Sequence, residues 1–216
     1  MPKRSQRRYH HGDLRAALVA AAREMVEAGE GDRLSLRGLA RRAGVSPAAP
    51  YHHFGDRAGL MSELASEGFE ALDAALDTAC ADCDDPETIL ATSCATYLRF
   101  AVEHGDHYRH MFSATYEDPE RHARYHEVAL ASFGQLCAKV SAVDPSRASE
   151  DVVETALALW SMAHGMASLW LDGIARIPGS EQPLELERMA TRLGQMALVL
   201  ARPQPAPNKA TKGARR

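Results

Sequence analysis

Aromatic residues make up only 6% of this 216-residue chain, and β-branched residues are sparse beside alanine and leucine. No stretch alternates apolar and polar residues convincingly, so there is little from which to build a sheet. An all-α fold of about nine helices is expected. Cysteine is scarce too: Cys80, Cys83, Cys94 and Cys137 are the only four, and no apolar run follows the basic start to form a secretory signal. Reduced thiols and a cytoplasmic protein are therefore expected. The longest charge-free apolar stretch, 155–171, includes Ser161, His164, Gly165 and Ser168. It falls short of the roughly 20 residues of a spanning helix, so no membrane partner is expected. Gly-x-Ser-x-Gly, P-loop, HExxH and dinucleotide fingerprints are all missing, and an enzyme is not expected.

Charge is unevenly distributed. The formal net charge is −4, yet residues 1–57 carry 11 Lys/Arg against 6 Asp/Glu, and residues 58–201 carry 9 against 23. The last stretch, 202–216, holds five basic residues and no acidic one. A basic head on an acidic body fits a polyanion-binding module attached to a body with another task. Four regions are expected: a basic flexible arm over 1–12, a polyanion-binding head over 13–57, a body over 58–201, and a disordered basic, proline-rich tail over 202–216.

Helical spacing organises the head. Asp13 is a candidate cap for a helix whose apolar stripe is Leu14, Leu18, Ala21 and Met25, with Gly29 as its stop. Ser35 caps a short helix with Leu36, Leu39, Ala40 and Ala43 on one face, and Gly44 makes the turn. Ser46-Pro47 reads as a second cap with proline at the first helical position. Gly55-Asp56 is a stop followed by a fresh cap for a long helix carrying Leu60, Leu64, Phe69, Leu72 and Leu76. Two short helices about a glycine turn make a helix-turn-helix, whose second helix can enter the DNA major groove N-terminus first. Arg37, Arg41, Arg42 and the arm supply charge for phosphates. A plain helical corner in a bundle is the competing reading, and the charge segregation favours DNA.

The pattern Leu36-x-x-Leu39-Ala40-x-x-Ala43-Gly44-Val45-Ser46, continued by Tyr51-x-His53-Phe54-x-x-Arg57-x-x-Leu60, resembles the N-terminal domain of TetR-family transcriptional regulators over about 13–62. The resemblance implies an all-α homodimer that binds double-stranded DNA through its N-terminal helices and a small-molecule effector in a larger C-terminal domain. It implies a recognition helix over 46–52, with Tyr51 and His52 facing DNA, Val45 and Phe54 in the core, and Arg57 on a phosphate. Pro50 departs from the aliphatic residue usual in the family. At the edge of the first helical turn it costs at most one backbone bond. Ala48 and Ala49 offer only methyl groups, so base hydrogen bonds fall to Ser46, His52, Arg37 or the arm. The expected DNA-contacting set is Arg37, Ser46, Pro47, Ala48, Ala49, Tyr51, His52 and Arg57.

Further helices are expected over 87–104, 106–113, 119–142, 147–176 and 184–201, separated by Gly and Pro breaks. The motif Trp160-x-x-x-His164-Gly165 resembles a TetR-type C-terminal domain named for those three residues. Trp160 and His164 share a helix face and read either as the wall of a ligand pocket or as core packing. The expected ligand contacts are Phe100, His104, Met111, Trp160 and His164, with Met162, Met166 and Phe112 also in the expected pocket wall. A wall rich in methionine and aromatics fits a largely apolar effector. Apolar residues Leu157, Leu169, Leu193, Met196 and Leu200 exceed the needs of single-faced helices and predict a dimer through the last two helices. Ten histidines invite a metal reading, but His104-x-x-His107-x-x-His110 and His122-x-x-x-His126 match no metal signature, and solvated histidines are expected. Neither a metal nor a cofactor is expected.

Overall fold

The computed structural model describes residues 11–112, 116, 118–174 and 185–203. All regular structure among them is helical. The helices are α1 (His11–Glu27), α2 (Leu36–Ala43), α3 (Ala49–Phe54), α4 (Arg57–Cys80), α5 (Pro86–Glu103), α6 (Gly105–Met111), α7 (Ala123–Val143), α8 (Ser149–Leu171) and α9 (Leu186–Ala201), with a 3-10 turn over Gly31–Arg33.

Local chemistry sets most boundaries. Ser35 Oγ accepts from the Gly38 amide at 3.1 Å, Asp56 Oδ1 from Gly59 at 3.0 Å, and Asp85 Oδ1 from Thr88 at 2.9 Å. Gly44 ends α2 at φ +67°, a left-handed conformation that a side chain would oppose.

Four boundaries differ from the sequence expectation. α1 begins at His11, so residue 13 lies inside its first turn instead of capping it. Residues 46–48 form a turn, with the Ala49 amide bonded to the Ser46 carbonyl at 3.0 Å, and α3 starts only at Ala49. Pro50 has no N–H to reach the Ser46 carbonyl, so the regular bond that would have made Ser46 the cap cannot form. α7 starts at Ala123 and not 119, because Asp118 Oδ1 accepts from the amides of Glu120 and Arg121 at 3.1 and 3.3 Å and holds them in a turn. α8 ends at Leu171 and not 176: the Gly173 amide bonds the Trp170 carbonyl, and the Ile174 amide bonds that of Leu169.

Two apolar cores lie along α4. The head core gathers Leu18, Val26, Leu34, Leu39 and Phe54 with Leu60, Leu64 and Ala65 of α4. The body core gathers Phe69 and Leu72 of α4 with apolar faces of α5 to α9. Head and body thus share one continuous helix, and the boundary expected at 57/58 falls at its start. α9 lies tightly on α5: a Cβ at Gly194 would stand 2.7 Å from the Ala91 carbonyl oxygen. Leu193, expected on a dimer face, is instead buried in this packing.

Candidate DNA-binding face, effector cavity and their junction

On the head, Arg37 and Arg41 of α2, the turn residues Ser46, Pro47 and Ala48, and His52 of α3 are all exposed. Tyr51 is 45% exposed, whereas Pro50 and Phe54 turn inward and Ala49 and Val45 are half-buried. Two consecutive short helices and the turn between them therefore expose hydroxyl, imidazole, phenol and guanidinium groups. Arg37 and Arg41 form no ion pair among the described residues. Arg42, also expected to serve phosphates, pairs instead with Glu24 at 3.6 Å and Glu30 at 3.8 Å.

Arg57 has a structural duty that the sequence did not reveal. Its Nε donates to the Leu34 carbonyl at 3.0 Å and its Nη2 to the Gly31 carbonyl at 2.9 Å, tying the 3-10 turn to α4. Arg57→Ala is expected to cost about 1–2 kcal/mol in thermal or urea unfolding. Arg37→Ala should leave stability within about 0.5 kcal/mol and weaken DNA binding. Equal unfolding midpoints for the two variants would contradict this assignment.

The junction between head and body is built from polar side chains. His107 Nε2 of α6 donates to the Leu64 carbonyl of α4 at 2.6 Å, and His126 Nε2 to the Tyr116 carbonyl at 2.6 Å. Buried His122 bonds the Ser62 hydroxyl through Nδ1 at 2.9 Å. Ser62 donates its own proton to the Gly59 carbonyl, so here its oxygen accepts. Arg121 pairs with Asp56, and Arg124 with Glu63 at 2.5 Å and Glu70 at 2.8 Å. These histidines are thus structural groups and not the solvated ones expected. Among the described residues, no three His, Cys, Asp or Glu side chains group as metal ligands do.

Burial lowers the pKa of His110, His122 and His164 below the ordinary 6.5. A depressed histidine pKa favours the folded state fully above the unfolded value. The unfolded chain takes up protons first as pH falls, so stability is lost from about pH 6.5 downward. The unfolding midpoint should fall across that range, and His122→Gln should make the fall shallower.

The body holds a partly open cavity of about 180 Å³ between α4, α5, α7 and α8. Such a volume holds a ligand of at least about benzene size. Its walls include Phe69, Leu72, Tyr97, Phe112, Tyr125, Phe133, Leu136, Leu159, Trp160 and Lys139. Of the residues expected at the ligand or in its wall, Trp160 and Phe112 line it. Phe100 is buried against the exposed His104, with ring centroids 4.6 Å apart. Met111 is buried under Gly68, and Met162 and Met166 pack on the body core.

His164 stands behind the wall. Trp160 Nε1 donates to the Tyr97 hydroxyl at 3.3 Å, the hydroxyls of Tyr97 and Tyr108 share a bond of 2.8 Å, and that of Tyr108 reaches His164 Nδ1 at 2.7 Å. A chain of donors ending on a neutral imidazole satisfies all four groups. Burial keeps both phenols protonated, with Tyr97 pushed up to about 12.

Tyr125 joins cavity to head. It lines the cavity, its ring lies 5.9 Å from that of Phe69, and on its other side it lies 4.9 Å from Tyr116 in the head core. Sequence reading missed this residue and the α4 and α7 walls. An apolar stripe at 125, 129, 133 and 136, continued on the same face by the charged Lys139, was the available signal.

Residues 18–64 match the family model described as bacterial regulatory proteins, tetR family, and residues 90–196 match that of the tetracyclin repressor-like C-terminal domain. The chain is similar to a solved protein of unknown function from Rhodococcus sp. RHA1, at 30% identity over 89% of this chain and 97% of that one, with a TM-score of 0.73. A tetR-family regulatory protein from Rhodococcus RHA1 shares the fold at 19% identity, covering 88% of this chain and 98% of its own, with a TM-score of 0.63. The TetR-family regulator PfmR from Thermus thermophilus does so at 22% identity, covering 88% and 99%, with a TM-score of 0.59. No curated protein sequence matches the chain. Among the described residues no helix is long and apolar enough to cross a membrane.

Proposed function

The chain belongs to the TetR family of DNA-binding transcriptional regulators, and on that premise we propose a repressor that binds a palindromic operator as a homodimer and is released by a small, largely apolar effector. The observation that carries the effector reading is the position of Tyr125, in the wall of the cavity and against the head core.

DNA contact is assigned to Arg37, Ser46, Pro47, Ala48, Ala49, Tyr51 and His52. Ala48, exposed in the turn, offers a methyl group suited to thymine. Arg57 keeps its proposed phosphate role beside its structural one. The dimer face is assigned to Val153, Leu157 and Leu169 of α8 with Met196 and Leu200 of α9, large apolar residues between 41% and 52% exposed. Large apolar residues left exposed on two packed helices fit a surface that a partner covers.

Two heads joined this way dock only when their recognition helices stand about 34–36 Å apart. An effector between α4 and α7 shifts Tyr125 and Phe112, and with them α4 and α6. His107, anchored on the Leu64 carbonyl, carries the shift into the head. The effector weakens DNA binding only through its differential affinity for the two arrangements. Filling the cavity tests this. Ala129→Trp, on the α7 wall, should bind operator DNA as the parent does and ignore every compound that releases the parent. A variant that still responds normally contradicts the assignment of the site.

A further inference from the structure

The cavity wall is apolar along most of its length but carries a charge at one end. α7 turns Tyr125, Ala129, Phe133 and Leu136 to the cavity, and Lys139 extends the same face. From Tyr125 to Lys139 the helix advances about 20 Å at 1.5 Å per residue. Trp160 and Phe112, whose rings are 5.9 Å apart, stand with Tyr125 in the aromatic portion of the lining.

Lys139 is half-buried and, among the described residues, has neither an ion pair nor a hydrogen bond. It is also the one charged side chain in the described lining. The neighbouring acid does not engage it directly: the two oxygens of Asp73 accept from Ser132 Oγ at 2.7 Å and Gln135 Nε2 at 3.2 Å. Burial raises the Asp73 pKa, and the Ser132 hydrogen bond and the charge of Lys139, felt from beyond contact distance, oppose that rise. Cys94, beside Lys139 in the wall, is pushed up to about 12 by burial and stays a neutral thiol. A half-buried lysine in a largely apolar cavity wall thus lacks an anion at contact distance.

We propose that the effector is an amphiphilic carboxylate, its acid group paired with the Lys139 ammonium and its apolar body lying along α7 toward Phe112 and Trp160. The inference rests on the cavity being the effector site. It adds the head-group and the direction in which the ligand lies. The competing account is that the lysine stem merely covers apolar surface while its ammonium reaches water.

Calorimetric titration of the full-length protein separates the two. The probes are straight-chain carboxylates from butanoate to decanoate, each beside the alcohol and the amine of equal length. The best carboxylate should bind about tenfold tighter than its alcohol, with the amine weakest, as a charge-assisted contact at a half-exposed site allows. Lys139→Met should bring carboxylate and alcohol to parity without weakening the alcohol, and Lys139→Arg should keep the preference. Equal binding of acid and alcohol by the parent, or a preference that survives Lys139→Met, overturns the head-group assignment. The cavity reading then still stands if Ala129→Trp abolishes binding of both. If no member of any series binds, the head-group assignment and the effector reading fall together.

Discussion

Tyr125→Ala is expected to bind operator DNA and to bind effector, yet to remain on DNA when the effector is added. The side chain is shared between the cavity wall and the head core, and its ring stands 4.9 Å from Tyr116 and 5.9 Å from Phe69. Truncation leaves a gap where a push on one ring would reach the next. Coupling in such systems amounts to about 1–3 kcal/mol, so the roughly 5- to 150-fold loss of DNA affinity that an effector causes should shrink toward none. Tyr125→Phe keeps the ring and should keep the response. Fluorescence anisotropy of labelled operator with and without effector reads the response, and direct calorimetry confirms that the ligand still binds. Thermal unfolding guards against a trivial loss, since truncating a half-buried aromatic costs up to about 3 kcal/mol. A folded Tyr125→Ala that is released as readily as the parent removes Tyr125 from the coupling path.

The second large effect concerns the proposed dimer face. Leu157→Glu combined with Met196→Glu places charge on α8 and α9, where the parent is apolar and about half exposed. Neither side chain belongs to the buried core, so the monomer should fold with little loss of stability. Association should fail, because burying two unpaired carboxylates per subunit costs several kcal/mol. A lone head loses the linked second half-site, and affinity for a palindrome should fall at least about 100-fold. Sedimentation velocity should show the parent at twice its 23.5 kDa chain mass and the variant at that mass. A parent that sediments as a monomer at micromolar concentration removes this face and the palindrome argument together.

The parts of this molecule legible in its sequence are those decided by neighbours within a turn. Ser35, Gly44 and Asp56 announce the ends of α2 and the start of α4 because a cap side chain accepts from an amide three positions on, and the left-handed Gly44 donates its amide to carbonyls three and four positions back. The apolar stripes of α1, α2 and α4 are readable for the same reason. The start of α3 is easily misread because Ser46-Pro47 has the form of a cap, while Pro50, by lacking an N–H, decides the outcome. Asp118 holds back the start of α7 by bonding backbone amides, a competition that hydrophobic spacing does not register.

The site is less legible than the fold. The motif around Trp160 points to the right wall, but periodicity cannot tell an apolar residue that faces a cavity from one that fills a core. Phe100 and Met111 go to the core, and Phe69, Phe133 and Leu136 to the cavity. His164 has the chemistry of a ligand contact, yet Tyr108, brought beside it by the fold, takes its Nδ1. Arg57 shows the same limit: two carbonyls from a turn more than 20 residues earlier give it a duty that no local pattern marks.

Footprinting on genomic DNA selected by the purified protein tests the central claim most directly. A dimeric, sequence-reading regulator should protect one short, two-fold symmetric site whose half-sites lie about one helical turn, roughly 34–36 Å, or a multiple of it apart. Protection should disappear in the Leu157→Glu, Met196→Glu variant and on addition of an effector that fills the cavity. Broad protection that follows no symmetric sequence, and that persists with the effector bound, would contradict the account.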